Sequence, residues 1–423
     1  MWKEFGFAKN LYDTHPVGAD KKGEKLLVGR QKELKSLRNR IENMRSTVCI
    51  EGPNGVGKTS LVLVAGYQLE RETEKKQKAS IILLQDPFQL SSSETAVDFK
   101  RKVYGKIASH FIEHEKSLKD RLDLQFNLKP LEAWLENPIF HQASAALAGF
   151  GGGAGRAPNQ TVGFDNHGFF TIVETLLKKA FNADGGIVCI LDNLEILNTS
   201  QNARELLEEM RDDILAKHGI RWVVCGARGI VKSVATSARL QGRMQEPLEL
   251  QPLNQEVISD LIESRVSIFS IDKHACAPVS IPAFQHLYNV LNNNLRDALK
   301  FSGDFALWLY ENDYCDKNNH NGYYELFEIW LAQQSQSYAE ATQITPRAWK
   351  LFDDLCVLGG SISPSDYELF EFKSAQAMRG QISPLENHDL INSEVDETDN
   401  RRRTISVTAK GWFVRFHRRG YET

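Results

Sequence analysis

The sequence predicts an α/β fold whose core is a parallel sheet covered on both faces by helices. Two observations carry this expectation. Four short apolar runs, STVCIEG (46–52), SIILLQD (80–86), GGIVCILDNLEIL (185–197) and IRWVVCGARG (220–229), are rich in β-branched residues, as strands buried on both faces are. Helical text separates these runs, which allows successive strands to point the same way.

In chain order, residues 1–25 are polar and turn-rich and form an N-terminal segment. LLVGRQKELKSLRNRIENM (26–44) reads as a turn and an amphipathic helix with Leu34, Leu37 and Ile41 on one face. The first strand ends in EGPNGVGKTS, and KTSLVLVAGYQLERE continues as a helix. Between the second and third strands lie roughly a hundred residues, far more than a simple crossover uses. They are read as an insertion over about 87–168, helical at 94–136 and then glycine-rich in AALAGFGGGAGRAPNQ (145–160). LNQEVISDLIESRVSIF opens a helical region with Asn254 as its expected cap. The division expected is a nucleotide-binding core over 26–252, a helical lid over 253–342 and a last domain over 343–423.

Gly52, Gly57, Lys58 and Thr59 spell G-x-x-x-x-G-K-[ST] between a strand and a helix, the context a phosphate-binding loop requires. Glycines let the loop that starts at Pro53 curl so that the backbone N–H groups of Asn54–Ser60 (Gly55 and Val56 among them) face phosphate, where the helix N-terminus adds partial positive charge. Lys58 is expected on the β- and γ-phosphates of ATP and Thr59 on Mg²⁺. Asp192, at the end of the third run, is the carboxylate expected to hold Mg²⁺ through water. Hydrolysis needs a carboxylate to polarise water. Asn193 follows Asp192 and cannot act as a base, so Glu195 is the nearest substitute and turnover is expected to be slow.

At these residues the chain resembles an AAA+ ATPase of the origin-recognition and STAND-like branch. Val28-Gly29-Arg30-Gln31-Lys32-Glu33-Leu34 matches the VGRxxEL box, which the resemblance places beside adenine. WVVCGARG resembles the sensor-1 strand, with Arg228 at its end. SARLQGRMQEPLELQPL resembles the segment that supplies an arginine finger to a neighbour, through Arg239 or Arg243. NNNLRDALKF resembles the sensor-2 helix of the lid, with Arg296 toward the γ-phosphate. The final segment resembles a winged helix-turn-helix: TPRAWKLFDDLCVLGG first, SPSDYELFEF second, SAQAMRGQISPLENHDLI as recognition helix, and EVDETDNRRRTISVTAKG as wing. Its DNA-facing residues are then Lys373, Gln376, Arg379, Gln381, Arg401, Arg402 and Arg403. The fold class expected is therefore a P-loop NTPase (AAA+) α/β core with a helical lid and a C-terminal winged helix domain.

Net charge is −4 with pI near 6.3, so no global basic field points to nucleic acid. Residues 346–423 balance 11 Lys/Arg against 12 Asp/Glu, which leaves duplex DNA and a protein effector both open as targets. The six cysteines show no C-x-x-C pair, which argues against a zinc site or disulfide framework. The N-terminus MWKEFGFAKN lacks a signal-peptide apolar region, and no apolar run reaches the roughly 20 residues of a membrane span; a cytoplasmic location is expected. The glycine-rich 145–160 stretch lacks a preceding strand and a Lys-Ser/Thr pair, so it is a flexible loop or a partner-ordered element, with Phe150 and Arg156 as contact groups. The function expected is an ATP-binding, slowly hydrolysing switch that self-assembles on ATP. The alternatives are a STAND-like scaffold whose winged helix docks protein, and a DNA-translocating motor.

Overall fold

The structure is a computed structural model that describes residues 1–423 apart from 44, 77–79, 92–93, 123–125, 137–163, 182–184, 195–199, 228, 316–321, 363, 396–402 and 421–423. In chain order come α1 (Lys21–Leu26), α2 (Gln31–Asn43), β1 (Val48–Glu51), α3 (Lys58–Lys76) and β2 (Ile81–Leu83). Then follow α4 (Ala96–Glu113), α5 (Glu115–Leu122), α6 (Lys129–Glu136), α7 (Phe164–Ala180) and β3 (Gly186–Leu191). The core closes with α8 (Ser200–Glu209), a π-helical turn (Arg211–Leu215), β4 (Ile220–Gly226), α9 (Ile230–Ala235) and β5 (Leu248–Glu249).

The five strands pair in parallel in the order β2-β3-β4-β1-β5. Alternate residues feed opposite faces, as the two-residue strand period requires. Val48, Ile50, Ile81, Leu83, Val188, Ile190, Val223 and Cys225 pack with α2 and α3. Cys49, Ile82, Ile187, Cys189, Leu191, Trp222 and Val224 pack with α4 and α7. The edge at β2 is covered by side chains rather than left open. Thr73 Oγ1 accepts from Ile81 N, Glu70 Oε2 accepts from Leu83 N, and Arg121 of α5 donates to Ile81 O at 2.7 Å. The helical part of the predicted insertion thus docks on the sheet edge. Its glycine-rich part, with Phe150 and Arg156, lies outside the described residues.

Beyond the sheet come α10 (Gln255–Phe269), α11 (Ile281–Val290), α12 (Leu295–Glu311) and α13 (Tyr323–Glu340). Asn254 does sit at the N-cap of α10, but its side chain makes no capping bond. The last elements are α14 (Pro346–Val357), β6 (Ser361–Ile362), a 3₁₀ stretch (Pro364–Phe370), α15 (Ala375–Asn387), β7 (Ile391–Val395), β8 (Arg403–Val407) and α16 (Ala409–Arg418). The small sheet is antiparallel, β6-β8-β7. The second helix expected over 363–372 is a kinked 3₁₀ stretch instead.

The sequence reading also misses α16. Its Phe413 stacks edge-on against Phe301 of α12 at 4.6 Å and lies 5.8 Å from the Tyr338 ring of α13. One continuous core therefore joins α10–α13 to the elements that follow residue 343. The N-terminal segment, expected to be merely polar, enters the same core: Phe5, Phe7, Leu11 and Tyr12 are all fully buried there. The apolar residues of WKEFGFAKNLY are its anchors, and burying four large side chains contributes about 1.5–3 kcal/mol each as an upper estimate.

Candidate nucleotide site

The chain leaves β1 and turns through Gly52–Gly57 into α3. Gly55 and Gly57 have φ of +80° and +96°, values that cost a residue with a Cβ roughly 1–2 kcal/mol. A Cβ on Gly57 meets nothing within 4 Å, whereas one on Gly55 comes within 2.7 Å of Arg296 Cβ and Asn294 Oδ1. The loop is thus open on its inner side and pressed against the start of α12 on its outer side. Lys58 is buried, and its Nζ donates to the carbonyls of Gly52 (2.9 Å) and Pro53 (3.2 Å), which holds the ammonium under the loop.

Thr59 Oγ1 donates to Asp192 Oδ2 at 2.5 Å, joining the first turn of α3 to the end of β3. A hydroxyl and a carboxylate are hard oxygen donors of the kind Mg²⁺ takes. With the open cradle at Gly57, they fit a nucleotide phosphate and its metal. Asn193 sits at φ +60°, and its N–H donates to Asp192 Oδ1 at 3.0 Å, so the backbone turn itself orients the carboxylate. This is a P-loop NTPase fold.

The cleft above the loop encloses about 850 Å³, counting its open mouth. Asn54–Ser60, Asp192 and Asn193 line it, and Val28, Leu253, Leu261, Leu295 and Leu299 add apolar wall. Arg296, predicted from the lid motif, lines the same cleft. The predicted box divides its labour. Val28 and Arg30 line the cleft and Gly29 packs on Val257 of α10. The buried Arg30 guanidinium donates to Val56 O (3.1 Å), Gln251 O (2.7 Å) and Glu33 Oε1 (3.2 Å). Burial lowers the Arg30 pKa, against the opposing pull of Glu33. Arg30 therefore ties the box to the phosphate loop and to the end of the sheet, a fixing role the sequence did not assign it.

Other predicted residues lie apart. Arg239 and Arg243 are exposed and pair with Glu208 and Asp212 at 3.7 Å. Arg243 O accepts from Thr47 N, just before β1, whereas the phosphate loop follows β1. Lys373, Gln376 and Arg379 are exposed on or beside α15, but Gln381 is half-buried and accepts from Thr345 Oγ1 at 3.1 Å. That bond serves the cap of α14, so Gln381 is not a free reading group. Arg403 opens β8. Glu195, Arg228, Arg401 and Arg402 lie outside the described residues.

Two contributors were not foreseen. Asp13–Val17 line the cleft, with Val17 N donating to Ser60 Oγ at 3.2 Å. Arg265 of α10 lines it as well. Arg265 had a signal: it falls in phase with Ile258, Leu261, Ile262 and Phe269, and an arginine on the core face of a helix calls for carbonyl partners.

A family model for the KAP family P-loop domain matches residues 30–212. No curated protein matches the sequence. Among solved structures, the chain is similar to the ORC2 protein of Aeropyrum pernix in its ADPNP–ADP complexes, at 12% identity and TM-score 0.47, covering 99% of this chain and 100% of that one. It is similar to ORC1 of Aeropyrum pernix in complex with DNA at 14% identity and TM-score 0.43, over 93% of this chain and 96% of that one. The Thermotoga maritima RuvB Holliday junction branch migration motor gives 13% identity and TM-score 0.40, over 97% and 99%. No helix among the described residues is long and apolar enough to cross a membrane.

Proposed function

We propose that this chain is an ATP-responsive switch of the AAA+ type, in which the occupancy of the phosphate loop sets the position of the lid and of the C-terminal module. The observation that carries the reading is the contact of Gly55 with Asn294 and Arg296 at the start of α12. A loop pressed that closely on the lid cannot change shape without moving it. From the same turn, Asn292 Nδ2 donates to Gly359 O at 3.1 Å, between α14 and β6. The route from loop to module is therefore three residues long at its narrowest.

In this reading ATP lies between the core, 26–252, and the lid, 253–342. Lys58 and the N–H groups opening α3 hold its phosphates, and Arg296 closes on the γ-phosphate from the lid. Thr59 and Asp192 hold Mg²⁺, which supplies charge neutralisation on the phosphates. Asn193 offers no base, so turnover is slow and the ATP-bound state long-lived. Arg243, with Arg239 four residues before it, stands at the entry end of β1, a strand whose length of about 13 Å separates that end from the loop. From there they serve a neighbouring copy's nucleotide, which supports assembly on ATP. A motor that translocates on DNA needs brisk turnover, and Asn193 speaks against it.

Residues 343–423 are read as a winged helix, with α15 as the recognition helix and β7–β8 as the wing. Lys373, Gln376 and Arg379 face solvent and support duplex contact, with Arg401, Arg402 and Arg403 at the wing as phosphate contacts. A protein effector is the second reading, favoured by the exposed Val357, Leu358 and Leu369 in the same module, Leu369 at 70%. The test is a fluorescence-anisotropy titration of duplex DNA at several salt concentrations with ATP, with ADP and without nucleotide, for wild type and Lys58→Ala. The reading expects binding that depends on ATP in wild type only, with a log–log salt slope that falls by about 0.9 per phosphate contact removed at the wing. No binding near about 50 mM salt with ATP present refutes the DNA target in favour of a protein. Binding indifferent to nucleotide and to Lys58 refutes the switch.

A further inference from the structure

We infer that Arg265 contacts the nucleoside half of the bound nucleotide while clamping the N-terminal segment over the cleft, an assignment that rests on the nucleotide reading above. The clamp is visible on both sides. Arg265 Nη1 donates to Leu11 O and to Asp13 O, both at 3.0 Å. Between these two residues the Tyr12 hydroxyl donates to Val279 O (3.1 Å) and accepts from Val279 N (2.9 Å). Earlier still, Ala8 N donates to Phe269 O at 2.8 Å, at the end of the helix that carries Arg265. Beyond the clamp, Val17 N reaches Ser60 of the loop helix. Residues 8–17 are therefore a strap fixed to the lid at one end and to the phosphate loop at the other, and Asp13–Val17 form part of the cleft wall.

The guanidinium itself is the second observation. Arg265 is only 7% exposed, yet it has no ion pair among the described residues. The carboxylate of Asp13 is turned instead to His15, accepting from its backbone N at 3.0 Å and lying 2.7 Å from its Nδ1. Burial pushes the Arg265 pKa down to about 10, against the weaker pull of Asp13 and Tyr12, so the group is still charged at neutral pH. Its Nε is buried without a partner, and Nη2 makes no hydrogen bond among the described residues and is not enclosed. On this assignment Nη2 is the nitrogen that faces the cleft, which Arg265 lines. A buried, unpaired cation is costly, and a donor left free in the wall of a pocket is satisfied by an acceptor on the ligand. Lys58, Thr59 and the N–H groups opening α3 already serve the phosphates in that reading. The acceptor left for Arg265 is on the sugar or the base edge.

The test is calorimetric titration of the full chain with ATP and with inorganic tripolyphosphate, each with Mg²⁺, for wild type, Arg265→Gln and Arg265→Lys. Tripolyphosphate has the charge of the phosphate chain and no nucleoside. Lysine keeps the charge and the alkyl stem but, with its one nitrogen spent on the strap carbonyls, lacks the second arm of the fork. The inference predicts unchanged tripolyphosphate affinity in Arg265→Lys and a loss of about tenfold or more for ATP, the size expected for one charged hydrogen bond. Arg265→Gln is expected to show the same selectivity, and if it does not fold, the lysine variant decides. Equal losses for both ligands mean a structural clamp only and overturn the assignment, as does an unchanged ATP affinity. If the wild type itself binds no ATP, the nucleotide reading fails, and the inference with it.

Discussion

Replacing Gly55 and Gly57 separately with alanine distinguishes the lid contact from the phosphate cradle. Both residues hold positive φ, +80° and +96°, so each alanine carries a backbone cost of about 1–2 kcal/mol. Only Gly55 faces the lid, where the new methyl meets Arg296 Cβ and Asn294 Oδ1 at 2.7 Å. That overlap involves the first turn of α12 rather than the end of a flexible chain, and relieving it costs about 1–3 kcal/mol more. Gly55→Ala is therefore expected to lose about 2–5 kcal/mol of stability without nucleotide, against about 1–2 for Gly57→Ala. Nucleotide affinity runs the other way at Gly57, whose methyl enters the space left for phosphate. Denaturant unfolding and ATP calorimetry on both variants give the two numbers. Equal destabilisation by the two alanines refutes a lid seated on the loop.

Alanine at Arg239 or Arg243 is expected to leave ATP affinity of the monomer unchanged and to weaken ATP-dependent self-association; sedimentation giving one mass with ATP, ADP and no nucleotide refutes the finger. Asn292→Ala removes one hydrogen bond to Gly359, costs about 0.5–1.5 kcal/mol of stability and leaves ATP affinity intact, while the DNA or protein affinity of the C-terminal module no longer follows the nucleotide. The Glu174 carboxyl would be raised by burial, but hydrogen bonds from Lys217 and Tyr104 and the charge of Lys100 hold it below its ordinary value. A carboxyl depressed in the folded state stabilises above its unfolded pKa and loses that contribution as pH falls through the folded one. Glu174→Gln is thus expected to destabilise at pH 7 and to converge with wild type in acid, which pH-dependent unfolding checks.

The sheet and its loop were legible because their physics is local. Buried parallel strands need unbroken apolar runs, and a phosphate cradle needs glycine where φ is positive, as at Gly55 and Gly57. β5 was not legible, since Leu248–Glu249 is two residues long and takes its register entirely from Ile50 and Glu51 of β1. The N-terminal strap was read as polar because its anchors, Phe5, Phe7, Leu11 and Tyr12, find their core far away along the chain, 267 residues in the case of the Tyr12–Val279 bonds, a separation invisible to any local periodicity. Helix α16 was hidden for the same reason. Its apolar face, Trp412, Phe413 and Phe416, is helical in spacing but follows a strand directly, and only the docking on α12 and α13 explains it. Arg30 shows the limit of a motif: the box placed it at the cleft, and its bonds to Val56 and Gln251 carbonyls show that it holds the walls together.

The central claim is that what the phosphate loop holds is felt at the junction of α14 and β6. Amide hydrogen exchange over residues 355–362 of the full chain measures this directly, with ATP and Mg²⁺, with ADP, and without nucleotide. Gly360 N donates to Leu355 O at 2.9 Å and Asn292 holds Gly359 O, so these amides report the contact itself. The account predicts protection that differs between ATP and ADP in wild type and becomes indifferent to nucleotide in Asn292→Ala. Identical exchange in all three states, in a wild-type protein shown to bind ATP, contradicts it.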